Sequence, residues 1–200
     1  MDHRRNAVAF APVLAEDDIQ GRLREFREKA EPLGVTVIRT ETQEDAARAI
    51  AEWVFSFGAD DVVATVELMQ RATRIVVALE EAGVRIRAPA SPEETRDTAI
   101  GLSLGHLAIA ETGSVLLCEP SLADRSVGML SLAQVIICAT SALVTSLDDA
   151  TANLRRLALQ PGGSFATLVT GPSRTADIER VLTVGVQGPG SVMTLFIDEL

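Results

Sequence analysis

The chain has 200 residues and a mass of 21.3 kDa, with 47% hydrophobic and 23% charged positions, enough to bury roughly 70% of its unfolded surface in one core. Its reactive side chains are few: His3, His106, Cys118, Cys138, Trp53 and no tyrosine. An iron–sulfur cluster takes about four thiolates, and two widely separated histidines make no zinc spacing, so any metal or redox centre is expected on a partner and no cofactor in this chain. The 18 basic residues, of which only Lys29 is a lysine, stand against 28 acidic ones, and the net charge of −10 disfavours nucleic acid and anionic membranes.

Residues 1–15 carry no periodic pattern and are expected to fray as a flexible N-terminus, with residues 16–200 forming one domain. A helix is predicted over residues 17–32, where Ile19, Leu23, Phe26 and Ala30 fall on one face. Pro32 and Gly34 end it, and residues 35–39 read as a strand. A helix at 43–57 and a strand at 61–66 follow, then a helix at 67–82 ending at Gly83 and a strand at 84–87. Ser91, Pro92 and Glu94 have the spacing of a capping box and announce a fourth helix. This alternation predicts an α/β fold with a mostly parallel sheet covered by helices on both faces.

The second half departs from that rhythm. Residues 107–111 and 114–118 read as strands around a Thr112-Gly113 turn, so a hairpin or bulge is expected to interrupt the parallel order. A loop rich in small and polar residues is expected at 119–126, a buried strand at 133–138, a helix from Ser146 to about Gln160, and closing strands at 165–170 and 192–197. The longest apolar runs are too short for the ~20 residues of a transmembrane helix. Residues 1–10 are charged and lack the apolar centre of a signal peptide. With free cysteines, this points to the cytoplasm.

Chemistry has few places to sit. Residues 169–179 are expected to join a strand to a helix start, where unpaired N–H groups, the Ser173 and Thr175 hydroxyls and the Arg174 guanidinium can hold an anion. A plain helix cap explains the same residues. Glu111, at the carboxyl end of an apolar strand, would act as a base or nucleophile if partly buried, and otherwise belongs to a simple turn. His106 serves either as a structural donor or a catalyst. Cys118 and Cys138, inside apolar runs, read most simply as core thiols. The glycines at 185, 188 and 190, which flank Gln187, mark either a ligand approach or a turn.

Two stretches are more specific. The sequence from Ala108 through Glu111, Thr112, Gly113 and Ser114 to Leu117, and that from Gly171 through Ser173, Arg174 and Thr175 to Glu179 with Gly185 to Pro189 after it, resemble the signature segments of the lactate-utilisation protein C family (LutC/YkgG, the LUD domain). The resemblance spans about residues 35–198. It implies a three-layer α/β/α, Rossmann-like fold of the kind shared by glucosamine-6-phosphate deaminase, ribose-5-phosphate isomerase and CoA transferases. It further implies a part in oxidising L-lactate to pyruvate, as a non-redox accessory or ligand-binding subunit beside LutA-like and LutB-like proteins that carry the iron–sulfur clusters. Glu111 would be the catalytic residue, and Thr112, Gly113, Ser114, Gly171, Ser173, Arg174, Thr175 and Gln187 would bind a small carboxylate or phosphate. The alternative is a free-standing isomerase or CoA transferase built on Glu111. Where relatives carry a proline and two histidines, this chain has Ser131, Gln134 and Gln187. Glutamine keeps a donor and an acceptor but cannot exchange a proton near neutral pH.

Overall fold

The computed structural model describes residues 16–96, 98–159, 165–175, 183–185 and 188–200, with residues 16, 17, 175, 183 and 184 described by their backbone alone. The expected 1–15 segment, residues 176–179 of the second signature stretch and residues 186 and 187 of the glycine-rich segment after it lie outside the described residues. In chain order the elements are α1 (Glu16–Ala30), β1 (Val35–Thr40), α2 (Gln43–Ser56), β2 (Asp61–Ala64), α3 (Val66–Arg71), α4 (Thr73–Glu81) and β3 (Arg85–Arg87). There follow β4 (Ile100–Ile109), β5 (Ser114–Cys118), α5 (Leu122–Leu130), β6 (Ala133–Ala139), β7 (Leu143–Val144), α6 (Leu147–Ala158), β8 (Ala166–Val169), β9 (Arg174–Thr175), β10 (Thr183–Val184) and β11 (Ser191–Ile197).

The central sheet runs β1-β11-β6-β4-β2-β3, all parallel. Val35, Val192, Gln134 and Gly101 lie level across it. The amphipathic faces of α2, α3 and α4 pack Ile50, Val54, Leu68, Ile75 and Leu79 on one face, against Val62, Leu102, Val135 and Leu195. Leu23, Phe26 and Ala30 of α1 cover the other, against Val35, Ile136, Val192 and Phe196, with the Phe26 and Phe196 rings edge to face at 5.1 Å. Burial of this periodic stripe is what holds α1 helical in its place.

The expected hairpin is real and larger than the turn signal suggested. β4 runs for ten residues, with a register shift between Gly105 and Leu107 where it begins to pair with β5. Its outer half pairs antiparallel with β5, which in turn pairs with β8. Ala108, Ala110, Val115 and Leu117 join the apolar cluster around α1. Helix α1 packs against both the main sheet and the hairpin that extends it, while α6 covers the hairpin through Ala150 and Leu157.

Three expected elements differ. The helix from Ser91 is a single 3-10 turn, Pro92–Thr95, in which Ser91 makes no side-chain cap bond; Glu94 instead accepts from the Ala90 N–H at 3.0 Å. The helix at 67–82 divides at Ala72, which leaves the helical conformation with φ −108° and ψ 46°. The loop at 119–126 holds the start of α5, whose N-cap Ser121 accepts from the Asp124 N–H at 2.9 Å.

Candidate functional site

The two signature stretches meet. β5 and β8 lie side by side, and beyond their paired ends the Ser114 and Thr170 hydroxyls bond at 2.8 Å. Both stretches also rest on the end of α1 and the turn into β1. Gly113 adopts φ 65°, and a Cβ there would lie 2.9 Å from the Ala30 nitrogen; glycine is required by both conformation and space. Gly171 sits against Leu33 and Val35, and the Arg174 guanidinium donates to the Leu33 carbonyl. Ser173 N–H donates to the Pro189 carbonyl at 2.8 Å, and Gly185 N–H to that of Ser173 at 2.9 Å.

This places the second stretch at the amino ends of β1 and β11, with Gly190 N–H donating to the Leu132 carbonyl just before β6. The expected position was the carboxyl end of the sheet. The turn after β4 lies against the last turn of α1, where Gly113 meets Lys29 and Ala30. Arg174 and Thr175 form a short strand paired with Thr183 and Val184, and the expected helix start after them falls outside the described residues. Residues 176–182 and Gln187 lie outside the described residues. Among the described residues this region offers the Arg174 guanidinium, the Ser173 hydroxyl and the Thr112 hydroxyl. Thr112 Oγ1 is buried and has no hydrogen-bond partner among the described residues.

Glu111 is exposed, and its carboxylate accepts from the Leu147 N–H at 3.0 Å, the first residue of α6. The burial that would make it a base is missing, and the side chain serves the start of that helix.

A second polar cluster, which the sequence does not single out as a unit, lies on the α5 side of the sheet. Gln134 Nε2 donates to Ser103 Oγ at 3.2 Å, and Ser103 Oγ donates to Glu119 Oε1 at 3.0 Å, all three side chains buried. Gln134 lies over Gly128, where a Cβ would come within 2.5 Å of its amide nitrogen. Burial pushes the Glu119 carboxyl up to about 7; the Ser103 hydrogen bond opposes this, Asp124 adds to it, and His106 and Arg125 oppose it. His106 Nε2 lies 3.1 Å from Glu67 Oε2. Burial alone would raise Glu67, but His106 and then Arg71 hold it below the usual carboxylate value. Asp124 Oδ1 accepts the Val66 N–H at 2.8 Å, tying α5 to α3. Burial pushes Cys118 and Cys138 up to about 12, with Glu67 and Glu119 adding to the effect at Cys118; both thiols stay neutral and unreactive. The signal in the sequence was the alternation Gly101, Ser103, Gly105 opposite Leu102 and Leu104, a strand face too small for ordinary core packing.

Among the described residues no group of three or more His, Cys, Asp or Glu could hold a metal ion, and no helix is long and apolar enough to cross a membrane.

A mostly parallel α/β sheet covered by helices and extended by an antiparallel hairpin defines the class of protein; the family model for the LUD domain matches residues 23–197. The chain belongs to the LUD domain family. It is 31% identical over 110 residues to lactate utilization protein C of Shouchella clausii, covering 54% of this chain and 48% of that protein. It is 33% identical over 109 residues to the protein of that name from Halalkalibacterium halodurans, covering 54% and 47%. The chain spans about half the length of the curated relatives it matches. A DUF162 family protein from Deinococcus radiodurans shares the fold, with a TM-score of 0.59 at 17% identity over 92% of this chain and 99% of that one.

Proposed function

We propose that this chain serves in the utilisation of L-lactate as a non-redox component that binds a small carboxylate, beside LutA-like and LutB-like iron–sulfur proteins that carry the electrons. The names of its relatives support the system, and the small number of thiols supports the division of labour. The observation that carries the binding role is the meeting of the two signature stretches at Ser114 and Thr170, against the end of α1, together with the Thr112 hydroxyl, buried and without a hydrogen-bond partner among the described residues. A buried donor without a partner costs on the order of 1–3 kcal/mol, which a carboxylate oxygen accepting from it would recover. Ser114, Ser173 and Arg174 supply the remaining donors, and Gly113 and Gly171 let the backbone close around the site. Thr175 and Gln187 belong to the same motif and are assigned to the same ligand.

The alternative, a free-standing isomerase or CoA transferase using Glu111, has no observation in its favour, because Glu111 is exposed and bonded to Leu147. Deletion of the gene tests the role in the cell. Impaired growth on L-lactate is expected, whereas normal growth in a strain lacking any other lactate oxidase contradicts it.

A further inference from the structure

We propose that Lys29 receives the ligand's carboxylate and that Thr112 pairs with the oxygen on the neighbouring carbon, so that the site selects 2-hydroxy and 2-oxo acids over plain carboxylates. The proposal rests on the carboxylate-site reading above and adds to it a cation that neither signature stretch contains.

Lys29 is the one lysine among 18 basic residues, and the fold places it where the two stretches meet. It stands in the last turn of α1. A Cβ on Gly113 would lie 2.9 Å from the Lys29 Cβ and 3.2 Å from its carbonyl carbon, so the Thr112-Gly113 turn is seated on residue 29 itself. Further along the same floor the Arg174 guanidinium donates to the Leu33 carbonyl, and a Cβ on Gly171 would lie 3.5 Å from the Leu33 Cβ. The segment from residue 29 to residue 33 therefore carries two cations, one its own and one brought by the second stretch.

The Lys29 charge is unspent. Its side chain is exposed and makes no hydrogen bond or ion pair among the described residues. Glu25, one turn back on the helix, stands where an ion pair could form, and none does. Glu28 is the next residue in sequence and leaves another side of the helix. Glu111, two positions before Gly113, is held by the Leu147 N–H. In a chain of net charge −10, an ammonium left unpaired at this junction is where an anion is drawn. A cation near a helix carboxyl end also suits the macrodipole, a role that Arg27 in the same turn shares. The seating of Gly113 on residue 29 is what the dipole does not explain.

The ligand class follows from Thr112, the residue before Gly113, whose Oγ1 is buried and has no partner among the described residues. A hydroxyl both donates and accepts. It therefore pairs with the hydroxyl of a 2-hydroxy acid and with the carbonyl of a 2-oxo acid, whereas the methylene of a plain carboxylate leaves it unpaired and is rejected for that reason. Lysine suits position 29 because its ammonium is a compact charge on a flexible stem, where a guanidinium is a rigid fork.

The test uses the single lysine. Reductive methylation with carbon-13 formaldehyde keeps the charge and gives Lys29 its own NMR signal, assigned by its loss in Lys29→Gln. The probes are L-lactate, pyruvate and propionate. L-lactate is expected to shift the Lys29 signal saturably, with the midpoint shown by the amides of residues 112–114. Lys29→Gln is expected to weaken L-lactate and propionate by the same factor, roughly ten-fold, with the urea midpoint unchanged and part of the affinity recovered in Lys29→Arg. Thr112→Val is expected to weaken L-lactate and pyruvate roughly five-fold or more and propionate by less than about two-fold, with the fold monitored by circular dichroism. Full affinity for L-lactate in Lys29→Gln, or a loss that comes only with a lowered urea midpoint, overturns the assignment of Lys29. Equal losses of L-lactate and propionate in Thr112→Val overturn the ligand class. Saturable amide shifts at 112–114 with a silent Lys29 signal contradict this proposal alone; no saturable amide shift in the parent overturns the carboxylate site, and this proposal with it.

Discussion

Individual residues carry the most direct tests. The Glu119 carboxyl is raised by burial from the usual value near 4.3 to about 7. The folded state therefore holds this proton more tightly than the unfolded chain. The stability that the neutral group contributes is complete below about pH 4 and is lost as pH rises through about 7, a change of up to about 3 kcal/mol. Glu119→Gln keeps the shape without the charge. Urea unfolding should find it more stable than the parent at pH 8 by up to about 3 kcal/mol and within about 1 kcal/mol at pH 5. Equal stability differences at the two pH values would remove Glu119 as the source. Gly113→Ala should cost roughly 2–4 kcal/mol, through a left-handed φ of 65° and a contact of 2.9 Å with the Ala30 nitrogen. At this scale the sequence was legible where a residue type has one use, as at Gly113. Glu111 and Glu119 both follow apolar strands and look alike in sequence, yet one is exposed and the other buried. The difference lies in tertiary contacts: the Glu119 carboxylate is received by Ser103 of β4 at 3.0 Å in the buried layer, a pairing that no local pattern encodes.

Among the elements, α1 is the one on which both signature stretches rest. Phe26→Ala removes the ring that packs edge to face on Phe196 at 5.1 Å and should cost about 3–5 kcal/mol. Because Gly113 and Gly171 are seated on the end of this helix and the turn after it, the same change should also lower affinity for a ligand held between them. Calorimetric unfolding and ligand titration on one sample separate the two effects. The α1 stripe, the β1 run and the capping box of α6, where Ser146 and Asp149 exchange hydrogen bonds, were all legible from local periodicity and caps. The full length of β4 was not, because Gly101, Ser103 and Gly105 break its apolar run. Only the pairing with β6 on one side and β2 on the other makes it a strand. The turn at Pro92 carries a helix signal in sequence, but Thr95 is buried against Ser126 at 2.8 Å, and that tertiary bond ends the turn after four residues.

For the molecule as a whole, the alternation of strands and helices and the two signature stretches were sufficient to indicate a mostly parallel α/β fold and the LUD domain family. The site's place in the fold was not legible, since it depends on the long-range packing of the turn after β4 against the end of α1. The central claim is that the joined motifs bind a small carboxylate. It is tested most directly by titrating nitrogen-15-labelled protein with L-lactate and mapping the amide shifts. Saturable shifts are predicted at residues 112–114 and 171–174, with binding weakened roughly ten-fold or more in Arg174→Gln. No saturable shift at these residues, or shifts that Arg174→Gln leaves at full affinity, would contradict it.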